Sequence, residues 1–182
     1  MKKKSFLLLL TISLFFSGKS IYGQDSAKVK TNNPNYKFGI GLGAGYTTGY
    51  GLSFKYLPTK FGAQINFAPY KSDNTERCSV GLTFIYTLIT AKKTNLYIYQ
   101  GNHYYYNSVL YRSYVNSSDP FSNYQTYTTH RTTTSYINNG LGIGARLFLG
   151  NRFELNLMTG YAFYNNFQNI NLTAEAALYY RF

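Results

Sequence analysis

The 182-residue chain has one cysteine and no tryptophan. A lone Cys78 excludes an internal disulfide framework and any zinc site built from clustered cysteines. The two histidines add too few ligands for a closed metal site, which takes four. Charge is scarce as well: Asp, Glu, Lys and Arg make up 13% of the chain, about half the usual ~25%. Such a composition argues against a coiled coil. The 19% aromatic content argues against disorder, which goes with few aromatics and much charge. Long apolar runs are missing too. The longest, Phe6 to Phe16, falls short of the ~20 residues that a membrane-spanning helix needs.

That run is preceded by Lys2, Lys3 and Lys4 and broken by Ser17, Gly18, Lys19 and Ser20. Basic start, apolar middle and small-residue end are the parts of a secretory signal peptide. Cleavage after Gly23 is expected, so residues 1–23 are a leader for export through the general secretory pathway. No cysteine follows the apolar run, which disfavours a lipoprotein anchor. Removing Lys2, Lys3, Lys4 and Lys19 from the 18 basic residues leaves 14 against 6 acidic ones. A basic balance raises the question of nucleic acid. The expected mature chain has no basic cluster denser than Lys92-Lys93, and export separates it from nucleic acid, so none is expected as a partner.

Residues 24–35 are polar and aperiodic, which predicts a flexible tail. From residue 36 to residue 182 the chain alternates apolar and polar residues, the period of a strand. Eight strands are predicted. They start near Tyr36, Tyr50, Phe61, Ser79, Leu96, Gly140, Phe153 and Leu172. Thr47-Thr48-Gly49, Pro58-Thr59 and Gly150-Asn151 read as turns. Residues 69–77 and 107–133 read as polar loops. The fifth strand has no clear parity: Leu96 and Ile98 favour one face, Tyr97, Tyr99 and Tyr105 the other, which admits a bulge.

In the other seven strands one face is apolar except for Thr159. The other face holds most of the glycines and every strand charge: Lys37, Lys55, Arg146, Glu154, Glu175 and Arg181. A soluble barrel would put the apolar face inside. Its surface would then be rich in glycine and short of the ~25–35% charge usual for soluble surfaces. Its interior, only wide enough for side chains, would be overfilled. With the faces reversed, lipid meets the apolar face and the lumen takes the rest. Short alternating segments are the signature of a membrane barrel. The expected fold is all-β, an eight-stranded antiparallel up-and-down transmembrane β-barrel. Connection lengths agree: the third and fifth are the longest, as for external loops between short periplasmic turns.

The last eight residues, Glu175-Ala176-Ala177-Leu178-Tyr179-Tyr180-Arg181-Phe182, resemble the C-terminal signal of small bacterial outer-membrane barrels of the OmpA/OmpX-like type. Glu175, Tyr180 and Phe182 fit that pattern, and Ala177 stands where glycine is usual. The leader and the Gln24 start are similar to those of Bacteroidota outer-membrane proteins. The resemblance spans Tyr36 to Phe182. It implies the outer membrane of a Gram-negative cell, contact with outer-membrane lipid and lipopolysaccharide, and recognition by the barrel-assembly machinery.

Candidate chemistry is sparse. Topology places Lys37, Lys55, Arg146, Glu154 and Arg181 toward the periplasmic end and Glu175 near mid-depth. Because unpaired charge in a narrow lumen is costly, these six are expected to form a structural ion-pair network, Glu154 pairing with Arg146 or Arg181. A charged constriction of a narrow pore is the competing reading. The Gly-x-Gly repeats lie inside strands, not at a strand-to-helix turn, which rules out a dinucleotide fingerprint. They are expected to make room for inward side chains such as Tyr179 and Phe148.

Some outer-membrane barrels modify lipids with His and Ser, but His103 is followed by Tyr104-Tyr105 and His130 by Arg131-Thr132. No nucleophile–base pair is visible, and no cofactor is expected. In the 107–133 loop, Tyr111, Arg112, Tyr114, Tyr124, Tyr127 and Arg131 stand among Ser, Thr and Asn. That mixture suits adaptable contact surfaces, and the two arginines suit anionic lipopolysaccharide heads. The expected function is non-enzymatic: envelope structure, or contact with a surface ligand. The alternatives are a lipid-modifying enzyme, and a narrow pore or accessory subunit of an envelope complex.

Overall fold

The computed structural model describes residues 36–115 and 126–182. The predicted leader, the predicted tail and Tyr124 lie outside these residues. The strands are β1 (Phe38–Ala44), β2 (Gly51–Tyr56), β3 (Phe61–Lys71), β4 (Thr75–Thr90), β5 (Thr94–Val115), β6 (Thr126–Leu149), β7 (Phe153–Tyr164) and β8 (Asn169–Arg181). Each pairs antiparallel with its sequence neighbour, and β8 returns to β1, so the sheet is a closed barrel. Closure satisfies the backbone without leaving an edge, which a lipid environment demands.

The apolar parity faces out. Leu42, Leu52, Ile65, Leu141, Ile143 and Leu172 are each at least half exposed. Gln64, Asn66, Asn156 and Thr83, with the charges Lys55, Arg146, Glu154, Glu175 and Arg181, turn inward and are buried. A barrel with its greasy face outside needs lipid around it, because water would gain a continuous apolar belt far larger than a soluble monomer tolerates. Aromatic rings gather at the end where β1 begins and β8 finishes. Phe38 stacks on Tyr56 at 4.9 Å and on Phe182 at 6.0 Å, and Phe153 meets Tyr180 edge-on at 5.7 Å. Aromatic girdles at the interfaces are characteristic of membrane barrels. The Phe38–Phe182 stack also fastens the β1–β8 seam. There Phe38 N donates to Phe182 O at 3.2 Å and Phe182 N to Phe38 O at 3.0 Å.

Four expectations need correction. The polar segment 69–77 is not a loop: Pro69, Tyr70 and Lys71 pair with Cys78, Arg77 and Glu76, leaving a short turn. The 107–133 segment is mostly strand. Pairing runs unbroken from Asn107↔Thr134 to Val115↔Thr126, and beyond Val109, where pairing with β4 ends, β5 and β6 run on as a two-stranded ribbon. Its Thr, Ser and Tyr residues suit strands, but both faces meet water and nothing forces alternation. The parity of β5 is regular, with Asn95, Tyr97, Tyr99 and His103 buried inside. The bulge lies opposite, in β4, where pairing skips Leu88. Finally, the turn predicted at Thr47-Thr48-Gly49 is present, but residues 45–50 do not simply link the ends of β1 and β2. They fold back into the lumen, where Thr47 and Thr48 are fully buried.

Candidate functional site

The lumen is filled at two levels. At the end nearer the termini, Glu154 on β7 is buried among three cations. Lys55 Nζ contacts its Oε1, Arg146 Nε lies 3.4 Å from the same oxygen, and Arg181 Nε lies 3.8 Å from Oε2. The surplus positive charge rests on aromatic faces. Lys55 Nζ sits 4.3 Å from the Tyr179 ring centre, the Arg146 guanidinium 5.6 Å from Tyr97, and the Arg181 guanidinium 4.4 Å from Phe148. A cation over a desolvated ring gains attraction from the ring quadrupole, which lets one carboxylate serve three cations.

Two of the six predicted network residues stand apart from this cluster. Lys37 precedes β1 and is exposed. Glu175 is buried at a higher level and holds the inward turn. Its Oε1 accepts from Thr47 N at 2.9 Å, from the Thr47 hydroxyl and from Thr173 Oγ1 at 2.9 Å. Its Oε2 accepts from Thr48 N at 3.1 Å. A carboxylate taking consecutive backbone amides behaves like a charge-assisted cap.

Other strands grip the same turn. Asn66 Nδ2 donates to Thr48 O and to Gly49 O, both at 2.9 Å. Asn138 Nδ2 donates to Tyr46 O at 3.0 Å. Glycine makes the room: a Cβ on Gly81 would lie 1.7 Å from Thr48 O, and one on Gly101 2.7 Å from Thr47 O. So several lumen glycines accommodate a backbone turn rather than the side chains expected there. Gly144 is different, since a Cβ there would strike the Tyr97 ring.

His103 has a partner that its sequence neighbours do not reveal. Its Nδ1 lies 2.8 Å from Tyr46 O, so it carries the proton and donates to that carbonyl. Nε2 is then an acceptor, and Ser79 Oγ donates to it at 2.9 Å. A serine–imidazole pair has the elements of a nucleophile and its base. Here Ser79 is 0% and His103 2% exposed, beneath the turn they help to hold. Only the register Gly81↔His103, Ser79↔Tyr105 brings them together, which no local motif signals.

The predicted surface residues lie on the ribbon. Tyr111 and Arg112 are exposed. Arg131 Nη1 lies 3.7 Å from Glu76 and donates to Ser108 Oγ at 3.3 Å. Glu76 also pairs with Lys71 at 3.0 Å. The Lys71 ammonium holds the Glu76 carboxyl below its ordinary range, with Arg131 adding to the effect. Tyr114 and Tyr127 pair directly across the ribbon. Of the C-terminal residues, Glu175 and Ala177 face the lumen, while Tyr180 and Phe182 belong to the outer aromatic belt.

The chain is similar in fold to small outer-membrane barrels. The N-terminal β-barrel domain of Pseudomonas aeruginosa OprF matches 80% of this chain and 95% of its own, at 14% identity and a TM-score of 0.46. Neisserial surface protein A matches 80% and 93%, at 14% identity and 0.45. Ail, the attachment invasion locus protein of Yersinia pestis, matches 80% and 95%, at 13% identity and 0.42. No family model and no curated protein matches the sequence.

Proposed function

We propose that the protein is a non-enzymatic outer-membrane barrel with a closed lumen, serving envelope structure or surface contact through its loop end. The observation that carries this reading is the double closure of the lumen. The Glu154 cluster fills it near the termini, and the 45–50 turn, seated on Glu175, fills it toward the loops. A pore needs a continuous polar path that ions can leave as easily as they enter. A lumen packed with backbone and paired charge offers none. The Ser79–His103 pair serves in this reading as a staple for the turn, because a nucleophile must meet its substrate.

The apolar exterior and the leader-like start support outer-membrane residence after export. The final Tyr180 and Phe182 support handling by the barrel-assembly machinery. The projecting β5–β6 ribbon supports surface contact. Its Arg112 and Arg131 are suited by charge to lipopolysaccharide heads.

Two measurements test the reading together. Purified protein in planar bilayers should give no single-channel steps. An epitope placed in the β5–β6 connection should be labelled by antibody on intact cells. Regular conductance steps would replace the closed barrel with a pore, and labelling only after lysis would reverse the orientation.

A further inference from the structure

The inward turn closes the lumen but leaves a blind cup above it. The cup is a shallow depression, wide open to solvent, of about 390 Å³, lined by Tyr46, Tyr136, Tyr164, Asn138, Asn165, Asn169 and Asn171. This is within the ~300–1,000 Å³ range of small-ligand pockets. The lining carries no charge, although the mature chain is basic. It consists of phenol rings and amides alone.

The walls are held in place. Tyr46 meets Tyr164 edge-on at 6.2 Å, and the Tyr46 carbonyl is fixed by both His103 and Asn138. Tyr136 packs against Tyr105 at 4.9 Å. The β7–β8 turn forms the rim and is strained: Asn165, Asn166 and Phe167 have φ of 51°, 59° and 69°. Three successive non-glycine residues in the left-handed region persist only where the surroundings over-determine them. Here β6 does so. Asn166 N donates to Ile137 O at 3.1 Å, Ile137 N to Asn166 Oδ1 at 3.0 Å, and Asn165 N to Asn138 Oδ1 at 3.1 Å. Meanwhile the exposed side-chain amides of Asn169 and Asn171 have no hydrogen-bond partner among the described residues.

We infer that this cup binds a neutral saccharide unit. A pyranose presents C–H faces that lie on aromatic rings and a rim of hydroxyls that both donate and accept. Tyrosine rings supply rigid amphipathic area. Each primary amide supplies two donors and an acceptor, matching hydroxyls in either sense. An anionic sugar would find no cation in the lining, and a purely apolar ligand would strand the free amides, which is costly. The inference goes beyond the envelope reading, because the cup opens to water at the loop end whichever side of the membrane that end occupies.

The test uses the full mature barrel in lipid nanodiscs. Glycosidic detergents are avoided, since their sugar heads would compete. The protein is applied to an array of neutral and anionic glycans, with uncharged peptides as a third class. Retained glycans are then examined by saturation-transfer NMR. The expected result is retention on neutral glycans, with saturation reaching the ring C–H protons. Tyr136→Ala and, separately, Asn169→Ala should weaken binding at least tenfold, while Glu76→Gln leaves it unchanged. Heat-modifiable gel mobility checks that each variant is folded. Should Tyr136→Ala fail that check, Asn169→Ala and Asn171→Ala still decide the matter, as their amides hold nothing in place. The inference is overturned by absence of neutral-glycan binding, by retention of anionic glycans or peptides alone, or by binding that the cup variants do not weaken.

Discussion

Replacing Glu154 with glutamine is the sharpest perturbation of this barrel. The side chain keeps its shape but loses its charge. Lys55, Arg146 and Arg181 would then share the lumen with no carboxylate at their level. All three are at least nine-tenths buried, so solvent screens them little. Removing one partner of a buried ion pair costs about 3–5 kcal/mol, because a buried charge is left uncompensated. The contacts with Tyr179, Tyr97 and Phe148 offset part of this, each by roughly 0.5–2 kcal/mol, but they exist before and after the change. For a domain of this size, 1 kcal/mol moves the melting midpoint by about 2–4 °C, so Glu154→Gln should lower it by roughly 6–20 °C. The midpoint is read from heat-modifiable gel mobility in a fixed detergent. Adding Lys55→Met to Glu154→Gln should recover much of the loss, since one of the orphaned cations disappears and the coupled pair is non-additive. A single variant that melts with the wild type, or a double variant that melts lower still, would refute the account of Glu154 as the common counter-ion.

Three further outcomes are expected. Gly81→Ala should expel the 45–50 turn, because the new Cβ would meet Thr48 O. Hydrogen exchange at Thr47 N and Thr48 N should accelerate by roughly 10- to 150-fold, since each loses a bond to a carboxylate worth about 1.5–3 kcal/mol. Bilayer conductance should nevertheless stay at baseline until the Glu154 cluster is also removed. At the loop end, the depressed Glu76 value means that its pairing supports the β3–β4 hairpin above the ordinary carboxylate range near ~4.3 and is lost as pH falls through the lower folded value. Protection factors at residues 72–75, taken relative to the intrinsic exchange rate at each pH, should therefore fall on acidification, and Glu76→Gln should abolish that fall. On the outer wall, Gln100 Nε2 donates to Asn102 Oδ1 at 2.8 Å and Asn102 Nδ2 to Gln100 Oε1 at 3.1 Å. Asn102→Leu alone should destabilise by about 1–3 kcal/mol in urea unfolding from vesicles, whereas replacing both by leucine should be nearly neutral.

How much was legible in the sequence follows from how local each cause is. Strand β7 could be recognised from Phe153 to Phe163, because lipid outside and a crowded lumen inside impose a period of two on neighbouring residues. The parity rule also placed Lys55, Arg146, Glu154 and Arg181 inside. It could not say that Lys55 reaches Glu154, 99 residues on. The inward turn was illegible for the same reason. Thr47-Thr48-Gly49 has the same local chemistry whether it points out or in. What draws it inward is Glu175, 128 residues away, together with room left by Gly81 and Gly101 on two other strands. The Ser79–His103 pair depends on register between β4 and β5, which no motif records. The ribbon escaped because a strand with water on both faces has no buried side to enforce alternation.

The lumen shows why glycine and bulky aromatics share the inward parity. An eight-stranded barrel holds side chains and little else. A backbone turn fits only where the wall gives up its side chains, and Gly81, Gly101 and Gly140 supply that space around Thr47 and Thr48. Where the turn does not reach, Tyr97 and Tyr179 fill the width. The charged cluster lies among Tyr97, Tyr179 and Phe148 and uses their faces. The two fillings therefore depend on each other: side chains instead of glycine near the loops would expel the turn, and glycine instead of tyrosine near the termini would strip the cations of their rings. A wall braced in this way at both levels has little freedom to open a channel. Above the turn, the described residues carry the β5–β6 ribbon and the tyrosine–asparagine cup.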